Sequence, residues 1–389
     1  MGQSFLPDGS QCVHAQSHAH AIESINGIGR RNTRGMRQVT QRSEKLTGQC
    51  EEEEKMSTRG KTILTVVAAL MMVPFLLSAG VQAGTQSVVI RVAETQPLTS
   101  AMTMHVTKYG EMLKEKTQGR ITVQVFPGAM LGPSPTVAQQ MQLGAIDQFR
   151  IDPALLFDFG VKSMQVMGLP YIFTSMDHAL KVAYGPIGQR LLDDITNSDV
   201  KLVGIGYMIE APRHLFLRNK KVIKLSDAKG LKIRVPENKL FLETMAAFGI
   251  SGTPVSMGEV YSALQTGVVD GAENSLDTFN VNKFHEVCRY ITLTGHIFGY
   301  YPVAFSKLNW QKLSAADQAL IKSTWKEASL LYDKYAAQKY DETVATIKKN
   351  GVEILNVDNP KEWQDAVVDL QGRFAKGFEG LLKEIKDAK

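Results

Sequence analysis

Residues 230–279, GLKIRVPENKLFLETMAAFGISGTPVSMGEVYSALQTGVVDGAENSLDTF, decide the fold of this chain. Over residues 231–235, apolar side chains alternate with Lys232 and Arg234, the period-two pattern of a half-buried strand. Arg234 is therefore predicted to point away from the apolar face, and Pro236 prevents the strand from continuing as an interior one. An arginine at the C-terminal end of a strand is well placed to reach into a ligand cleft.

A helix and a second strand are predicted further along the same stretch. Ser256 followed three residues later by Glu259 is the pattern of a capping box, and Gly267 supplies the C-terminal stop. Residues 268–271 are predicted to be a strand that runs into a tight turn, with Asn274 at its mouth. The order strand, helix, helix, strand brings the polar ends of both strands to the edge where open α/β sheets bind ligands.

Three segments of the chain resemble the solute-binding proteins of TRAP transporters. They are GLKIRVP, PVSMGEVYSALQTGVVDGAEN and EVCRYITLTGH, which lie at residues 230–236, 254–274 and 286–296. The resemblance extends over roughly residues 88–380. It implies an α/β fold of the two-lobed periplasmic binding protein type (type II-like), with a long helix spanning both lobes. It also implies a periplasmic receptor that delivers an organic acid to the small and large TRAP membrane subunits.

The resemblance assigns three ligand-binding residues. By position, Arg234 corresponds to the arginine that forms a bidentate salt bridge with the ligand carboxylate, Arg213 to a second common arginine, and Asn274 to the asparagine of an E-N motif. The chemistry agrees for Arg234, because a guanidinium presents a rigid fork of donors that fits a carboxylate and stays charged. The alternatives are a solvated strand arginine at 234 and an arginine at 213 that only braces its loop.

Polar residues also follow the first and third predicted strands. Glu94 and Arg150 lie at predicted C-terminal strand ends, on the ligand side of such a sheet, and Gln96 follows closely. The alternative is that each caps its strand and faces solvent. Their segments, ETQP and DQFRIDPALL, resemble those of TRAP receptors for sugar acids such as hexuronates. A uronate is therefore the expected ligand, with an aromatic or a simple carboxylate as the alternative.

Two departures from the family pattern lie near the expected pocket wall. Residues 133–135 are Pro-Ser-Pro where most relatives have an acidic residue, and Ser275 replaces the usual proline after the E-N pair. The aromatic residues Phe298, Tyr300 and Tyr301 follow His296 and belong either to the core or to a stacking surface for the ligand.

The order of predicted elements gives the domain organisation. Strands and helices alternate after residue 88, which favours a parallel sheet with right-handed crossovers. Residues 84–210 plus about 299–338 are expected to form lobe I, and residues 211–298 plus about 339–389 lobe II. One helix is predicted from Ser314 to Asn350, and at ~55 Å it exceeds a single lobe.

The N-terminal region is expected to be processed. Residues 1–55 show no apolar periodicity, so we expect a disordered extension or a misassigned start. Residues 56–83 have the basic part, the apolar part and the small-residue cleavage site of a secretory signal, with cleavage predicted after Ala83. The mature protein is therefore expected in the periplasm.

Composition and motifs exclude several function classes. The net charge of +5 in a chain of 389 residues is too small for a nucleic-acid-binding protein. The mature chain keeps only Cys288, which is expected to be a buried side chain. No metal-ligand spacing and no common catalytic motif is present, so we expect neither a catalytic residue nor a cofactor or metal. The chain is expected to act as a monomeric receptor; a periplasmic enzyme on the same fold is the alternative.

Overall fold

The computed structural model describes residues 87–388, and 14 α-helices and 11 β-strands are named here in chain order. The strands are β1 (Val88–Ala93), β2 (Ile121–Phe126), β3 (Gln148–Arg150), β4 (Leu202–Pro212), β5 (His214–Leu217), β6 (Lys232–Val235), β7 (Ser251–Pro254), β8 (Gly271–Asn274), β9 (Tyr290–Leu293), β10 (Phe298–Ser306) and β11 (Glu353–Asn356). The predictions for residues 1–55, for the leader at 56–83 and for cleavage after Ala83 lie outside the described residues.

The helices connect these strands and cover the sheets. They are α1 (Ala101–Lys116), α2 (Ser134–Gln142), α3 (Pro153–Asp158), α4 (Met164–Met167), α5 (Met176–Tyr184), α6 (Pro186–Asn197), α7 (Lys239–Ala247), α8 (Val260–Thr266), α9 (Leu276–Val281), α10 (Lys307–Trp310), α11 (Ala315–Lys349), α12 (Pro360–Asp365), α13 (Val368–Phe374) and α14 (Glu379–Asp387).

The strands form two mixed sheets, one in each lobe. The first lobe contains a five-stranded sheet in the order β2-β1-β3-β10-β4, and the second lobe a six-stranded sheet in the order β11-β9-β5-β8-β6-β7. The predicted α/β fold with two lobes is confirmed. The exact lobe boundaries along the chain stay a prediction.

The prediction of purely parallel sheets is wrong for two strands. In the first sheet β1 pairs parallel with β2 and β3, but β10 runs antiparallel to β3 and β4. In the second sheet β5 runs antiparallel to β8 and β9. Both exceptions are next to points where the chain crosses between the lobes, so they enter their sheets without a βαβ crossover. Helix–strand alternation indicates parallel pairing only inside a lobe.

The long helix α11 joins the two lobes, as predicted. It is 35 residues long, and its Ser314 N-cap hydroxyl accepts a hydrogen bond from the Asp317 amide. Near its start, Trp325 packs in the core of the first lobe with side chains of α1. Near its end, Ile347 packs in the core of the second lobe with side chains of α9.

The C-terminal helices do not all follow the predicted lobe assignment. Trp363 of α12 packs in the core of the second lobe. Phe374 of α13 and Ile385 of α14 pack instead in the core of the first lobe. The His178 ring of α5 fixes α14 there through a 2.7 Å hydrogen bond with the Ile385 carbonyl. The end of the chain therefore returns to the first lobe and adds another covalent connection between the two.

The stretch at 230–279 folds largely as its pattern predicts, with two corrections. Gly267 ends α8 in the left-handed conformation. The Ser256 hydroxyl donates to the Glu259 carboxylate at 2.5 Å, but caps no backbone amide, so the predicted capping box is incomplete. Strand β8 begins only at Gly271, where a Cβ atom would lie 2.1 Å from the Phe216 carbonyl oxygen of β5. The predicted strand at 268–271 therefore starts later, at the residue that permits this close approach.

We predict that Gly206→Ala destabilises the protein by about 1–3 kcal/mol, because overpacking shifts a rigid neighbour. An added Cβ would lie 2.4 Å from Cδ1 of Trp325, whose indole N–H donates to the Tyr207 carbonyl at 3.0 Å. Gly380→Ala is the matched control, since no heavy atom lies within 4 Å of its Cβ position. Thermal denaturation of both variants checks the packing of α11 on β4; equal melting temperatures would contradict it.

Candidate functional site

A cleft between the two lobes collects the polar strand ends. It encloses about 740 Å³ of space when its open mouth is included. Five of the six predicted site residues line it: Gln96, Arg150, Arg213, Arg234 and Asn274. The sixth, Glu94, lies behind Arg150 as its ion-pair partner. The structure thus brings all six together, although they are up to 180 positions apart in the chain.

Arg234 is the least compensated cation of the cleft. It is the penultimate residue of β6 and is 3% exposed, and its Nε donates to the Val255 carbonyl at 2.8 Å. Within residues 87–388, no hydrogen-bond acceptor is found for its Nη1 and Nη2 groups. Burial lowers the pKa of Arg234 to about 10, against the attraction of Glu273, so the side chain stays charged at neutral pH. A buried guanidinium with four open donors is suited to bind an anion.

Arg213 has a different role, because its donors are mostly used inside the protein. It lies between β4 and β5, where Nε and Nη2 donate to the two carboxylate oxygens of Glu273 at 2.6 and 2.7 Å. Nη2 also donates to the Glu273 carbonyl at 3.1 Å, and Nη1 to the Tyr301 hydroxyl at 3.0 Å. Burial alone would lower the pKa of Arg213, but the Glu273 carboxylate raises it above its usual value.

Arg213 also joins the two segments in which the chain crosses between the lobes, one between β4 and β5 and the other between β9 and β10. The Arg213 amide donates to the Ile297 carbonyl at 2.7 Å, which links the first crossing to the second. His296 lies behind Glu273, with Nε2 3.4 Å from a carboxylate oxygen. The pKa of Glu273 is below its usual value: burial raises it, and the Arg213 guanidinium together with His296 more than offsets that effect. Arg213 therefore connects the two crossings, and one of its five N–H groups has no acceptor among the described residues.

Arg150 and Glu94 form a second buried ion pair on the first lobe. Nε and Nη2 of Arg150 donate to the two Glu94 oxygens at 2.8 and 2.7 Å, and Nη2 also reaches the Thr95 hydroxyl at 3.0 Å. Burial opposes the charge of Arg150, but Glu94 raises its pKa above the usual value. The guanidinium also lies 4.7 Å above the Tyr301 ring. Arg150 thus faces the cleft with its charge already neutralised.

Three amide side chains supply neutral donors. Asn274 uses its carbonyl oxygen to accept from the Ser275 amide at 2.9 Å, and Asn238 uses its own to cap α7 at 3.0 Å. Gln96 accepts from Nδ2 of Asn282 at 3.0 Å, a hydrogen bond between the two lobes. In the part of the chain that the structure describes, the NH₂ groups of Asn274, Asn238 and Gln96 have no hydrogen-bond acceptor, so they are open to a ligand.

The aromatic residues of β10 divide between core and cleft. Tyr300 stacks on Phe173 with ring centroids 5.2 Å apart, in the core of the first lobe, and Phe298 packs against the same ring at 6.0 Å. Tyr301 instead lines the cleft between Arg150 and Arg213. Burial raises the pKa of Tyr301 far above neutral pH, so its hydroxyl is a donor.

The cleft contains further residues that the sequence reasoning missed. Asp152 and Asn238 cap α3 and α7, and both line the cleft, as does the exposed Glu237. Burial raises the pKa of Asp152, and Arg213 and Arg150 oppose that effect. A local sequence pattern could have identified Asp152. It lies two residues after Arg150 and directly before a proline, which is the pattern of a helix N-cap that follows a strand end.

No cluster of His, Cys, Asp or Glu suited to a metal ion is found in the described part of the chain. Across residues 87–388, every helix is too short or too polar to cross a membrane.

The chain matches a known protein family over most of its length. The model of the bacterial extracellular solute-binding proteins, family 7, matches residues 92–376. A solute-binding protein of Chromohalobacter salexigens is 29% identical over 331 residues, which cover 83% of this chain and 96% of the relative.

Solved structures of TRAP periplasmic solute-binding proteins are similar in fold. One from Pseudomonas putida F1 with bound D-glucuronate has a TM-score of 0.74 and 34% identity, covering 77% of this chain and 97% of that one. One from Sulfurospirillum deleyianum with bound succinate has a TM-score of 0.73 and 28% identity, covering 78% of this chain and 100% of that one. The fold is therefore shared by receptors for different acids.

Proposed function

Since this chain belongs to the bacterial extracellular solute-binding proteins of family 7, we propose that its cleft binds a hexuronate or a related sugar acid through Arg234. The chain is a solute receptor of the TRAP class and not an enzyme. In this proposal it acts as a periplasmic monomer after cleavage behind Ala83, and delivers the acid to the small and large membrane subunits.

The observation that carries the proposal is the open guanidinium of Arg234. Two other arginines face the cleft, but Glu94 and Glu273 neutralise them in bidentate pairs. The positive charge of Arg234 is thus the one left for a ligand carboxylate. The carboxylate would form two parallel hydrogen bonds, with Nη1 and Nη2 or with Nη2 and a neighbouring donor. Replacing solvent by such a pair offsets the cost of burying the cation.

The remainder of the cleft favours a ligand with hydroxyl groups. The NH₂ groups of Asn274, Asn238 and Gln96 and the hydroxyl of Tyr301 are neutral donors, and Asp152 is an acceptor. Hydroxyl groups both donate and accept, so a sugar acid satisfies this mixture, whereas an apolar or aromatic acid would leave buried donors unpaired. The glucuronate complex of the Pseudomonas putida relative supports the same ligand class.

Ligand binding would connect the lobes. Arg234 and Asn274 belong to the second lobe, while Arg150 and Gln96 belong to the first. A ligand held by both stabilises the closed arrangement through contacts that an open cleft lacks. The hydrogen bond from Asn282 to Gln96 joins the same two lobes beside the cleft.

We predict that D-glucuronate raises the melting temperature of the mature protein and that D-glucose does not. At about 100 times its Kd a ligand stabilises the folded state by about 2.7 kcal/mol. Glucose has the same ring and lacks the carboxylate, so it tests the role of charge. Succinate and benzoate test the alternatives of a simple and an aromatic acid. Equal stabilisation by glucose would contradict the proposal, and conversion of glucuronate to a product would favour the enzyme alternative.

A further inference from the structure

We propose that Asp152 determines the specificity of the cleft: its carboxylate accepts a hydrogen bond from a ligand hydroxyl and disfavours a second ligand carboxylate. The site would then select hydroxy acids with one carboxylate over dicarboxylates. This inference rests on the proposed function, because it assumes that a ligand carboxylate is bound at Arg234.

The position of Asp152 leaves one carboxylate oxygen open. Asp152 follows β3 and is the N-cap of α3, where Oδ1 accepts from the Ala154 amide at 2.8 Å. Among residues 87–388, no donor is found for Oδ2, although the side chain lines the cleft. Of the other first-lobe side chains that line the cleft, Arg150 and Gln96 have open donors, and the hydroxyls of Thr95, Ser134 and Tyr301 can both donate and accept. Among the described first-lobe residues that line the cleft, Asp152 is thus the carboxylate that can accept a hydrogen bond from a ligand hydroxyl.

Arg234 and Asp152 face the cleft from opposite lobes. Arg234 lies near the end of β6 in the second lobe, and Asp152 follows β3 in the first. Both residues line the same cleft, so a ligand that spans the cleft contacts the second lobe at one end and the first lobe at the other. In the proposed binding mode the carboxylate is bound at Arg234, and the far end of the ligand lies on the side of the cleft that contains Asp152.

The charges around Asp152 determine whether the far end of the ligand can carry a carboxylate or a hydroxyl group. Arg150 is the cation that could attract a second carboxylate, but Glu94 already pairs with it through both oxygens. Arg213 is neutralised by Glu273 in the same way. Asp152 then adds a negative charge with no ion-pair partner in the described part of the chain. A second ligand carboxylate would meet this charge in a cleft of low dielectric, whereas a hydroxyl would donate to it.

The test is Asp152→Asn, with Asp158→Asn as the matched control. Asparagine removes the charge, keeps a side-chain oxygen for the Ala154 amide and is a good N-cap, so the start of α3 is retained. Asp158 is at the other end of the same helix, is exposed and does not line the cleft. The Kd values of D-glucuronate and of D-glucarate, which carries a second carboxylate, are measured for the three proteins by calorimetry.

We expect Asp152→Asn to weaken glucuronate binding about tenfold or more, the cost of a lost hydrogen bond to a charged group. Glucarate is expected to lose less or to gain affinity, so that the ratio of the two Kd values shifts about tenfold or more toward glucarate. Because each ratio is compared with that of the wild type, the difference in shape between the two ligands cancels. Asp158→Asn should match the wild type within about twofold.

The outcomes separate this inference from the proposed function. If the wild type binds glucuronate and Asp152→Asn retains both its glucuronate affinity and its Kd ratio within about threefold, Asp152 is only a helix cap and the inference is wrong. If glucarate binds to none of the three proteins, the glucuronate affinity alone decides by the same limits. If the wild type binds neither acid, the proposed function fails, and the inference fails with it.

Discussion

Arg234→Ala is expected to weaken the binding of the sugar acid by a factor of about 100 or more while the ligand-free protein stays as stable as the wild type. Truncating one partner of a buried, hydrogen-bonded ion pair costs about 2–5 kcal/mol in binding. The ligand-free fold loses little, because within residues 87–388 the Arg234 side chain makes one hydrogen bond, to the Val255 carbonyl.

The pKa of Arg234 supports the second half of that prediction. Burial lowers it from 12.5 to about 10, so the folded protein holds this proton less tightly than the unfolded chain does. At neutral pH the charged side chain therefore destabilises the ligand-free fold, and its removal is neutral or stabilising.

Calorimetry measures the affinity and thermal denaturation the stability. Lys232→Ala is the matched control, since Lys232 belongs to the same strand and is exposed. A variant that binds glucuronate with wild-type affinity would contradict the assignment of Arg234. A variant that is strongly destabilised without ligand would mean that Arg234 has a structural role.

Arg213→Ala is expected to have the opposite effect and to destabilise the protein by about 3–5 kcal/mol. The substitution leaves the fully buried Glu273 carboxylate without its cation, and breaking a buried ion pair by removing one partner is strongly destabilising. It also removes the hydrogen bond from Arg213 to the Tyr301 hydroxyl of β10. The melting temperature measures the effect.

The loss of stability caused by Arg213→Ala should become smaller as the pH falls. In the wild type the folded-state pKa of Glu273 is below its unfolded value of 4.5, so its stabilising contribution is present above that value and is lost as pH falls through the folded-state pKa. In Arg213→Ala the carboxylate is buried without a cation, and protonation relieves the cost. The difference in stability between variant and wild type should therefore shrink on acidification.

An exposed ion pair provides the control for Arg213→Ala. Lys361 and Asp365 pair on the surface of α12 with side chains that are 74% and 58% exposed, and such pairs contribute about 0–1 kcal/mol. Lys361→Ala should therefore change the melting temperature little. If Arg213→Ala were equally mild, the ion pair with Glu273 would not stabilise the fold as predicted.

Local pattern was enough to predict the element ends that matter for the site. Alternation and the following proline placed Arg234 at the end of β6, and Gly267 and Ser314 marked the ends of helices that the structure confirms. The one feature misjudged at β6 is burial: Arg234 is as buried as Ile233, because its face of the strand lies against the cleft rather than solvent. A period-two pattern distinguishes the two faces of a strand and does not show what covers each.

Ion pairs between residues that are far apart in the chain could not be predicted from the sequence. Arg213 and Glu273 are 60 positions apart, and Arg150 and Glu94 are 56 apart. Nothing in a local segment indicates that these arginines are neutralised while Arg234 is open, and the proposed ligand-binding role of Arg234 depends on this difference. The return of α14 to the first lobe has the same origin, since its apolar face could cover either lobe.

The central claim is that Arg234 binds the ligand carboxylate, and a crystal structure of the mature protein with D-glucuronate tests it most directly. The account predicts both carboxylate oxygens within hydrogen-bonding distance of Arg234, about 2.7–2.9 Å from a guanidinium nitrogen, with Arg213 still paired to Glu273. A carboxylate bound at another residue, with Arg234 in contact only with water or ligand hydroxyls, would contradict it.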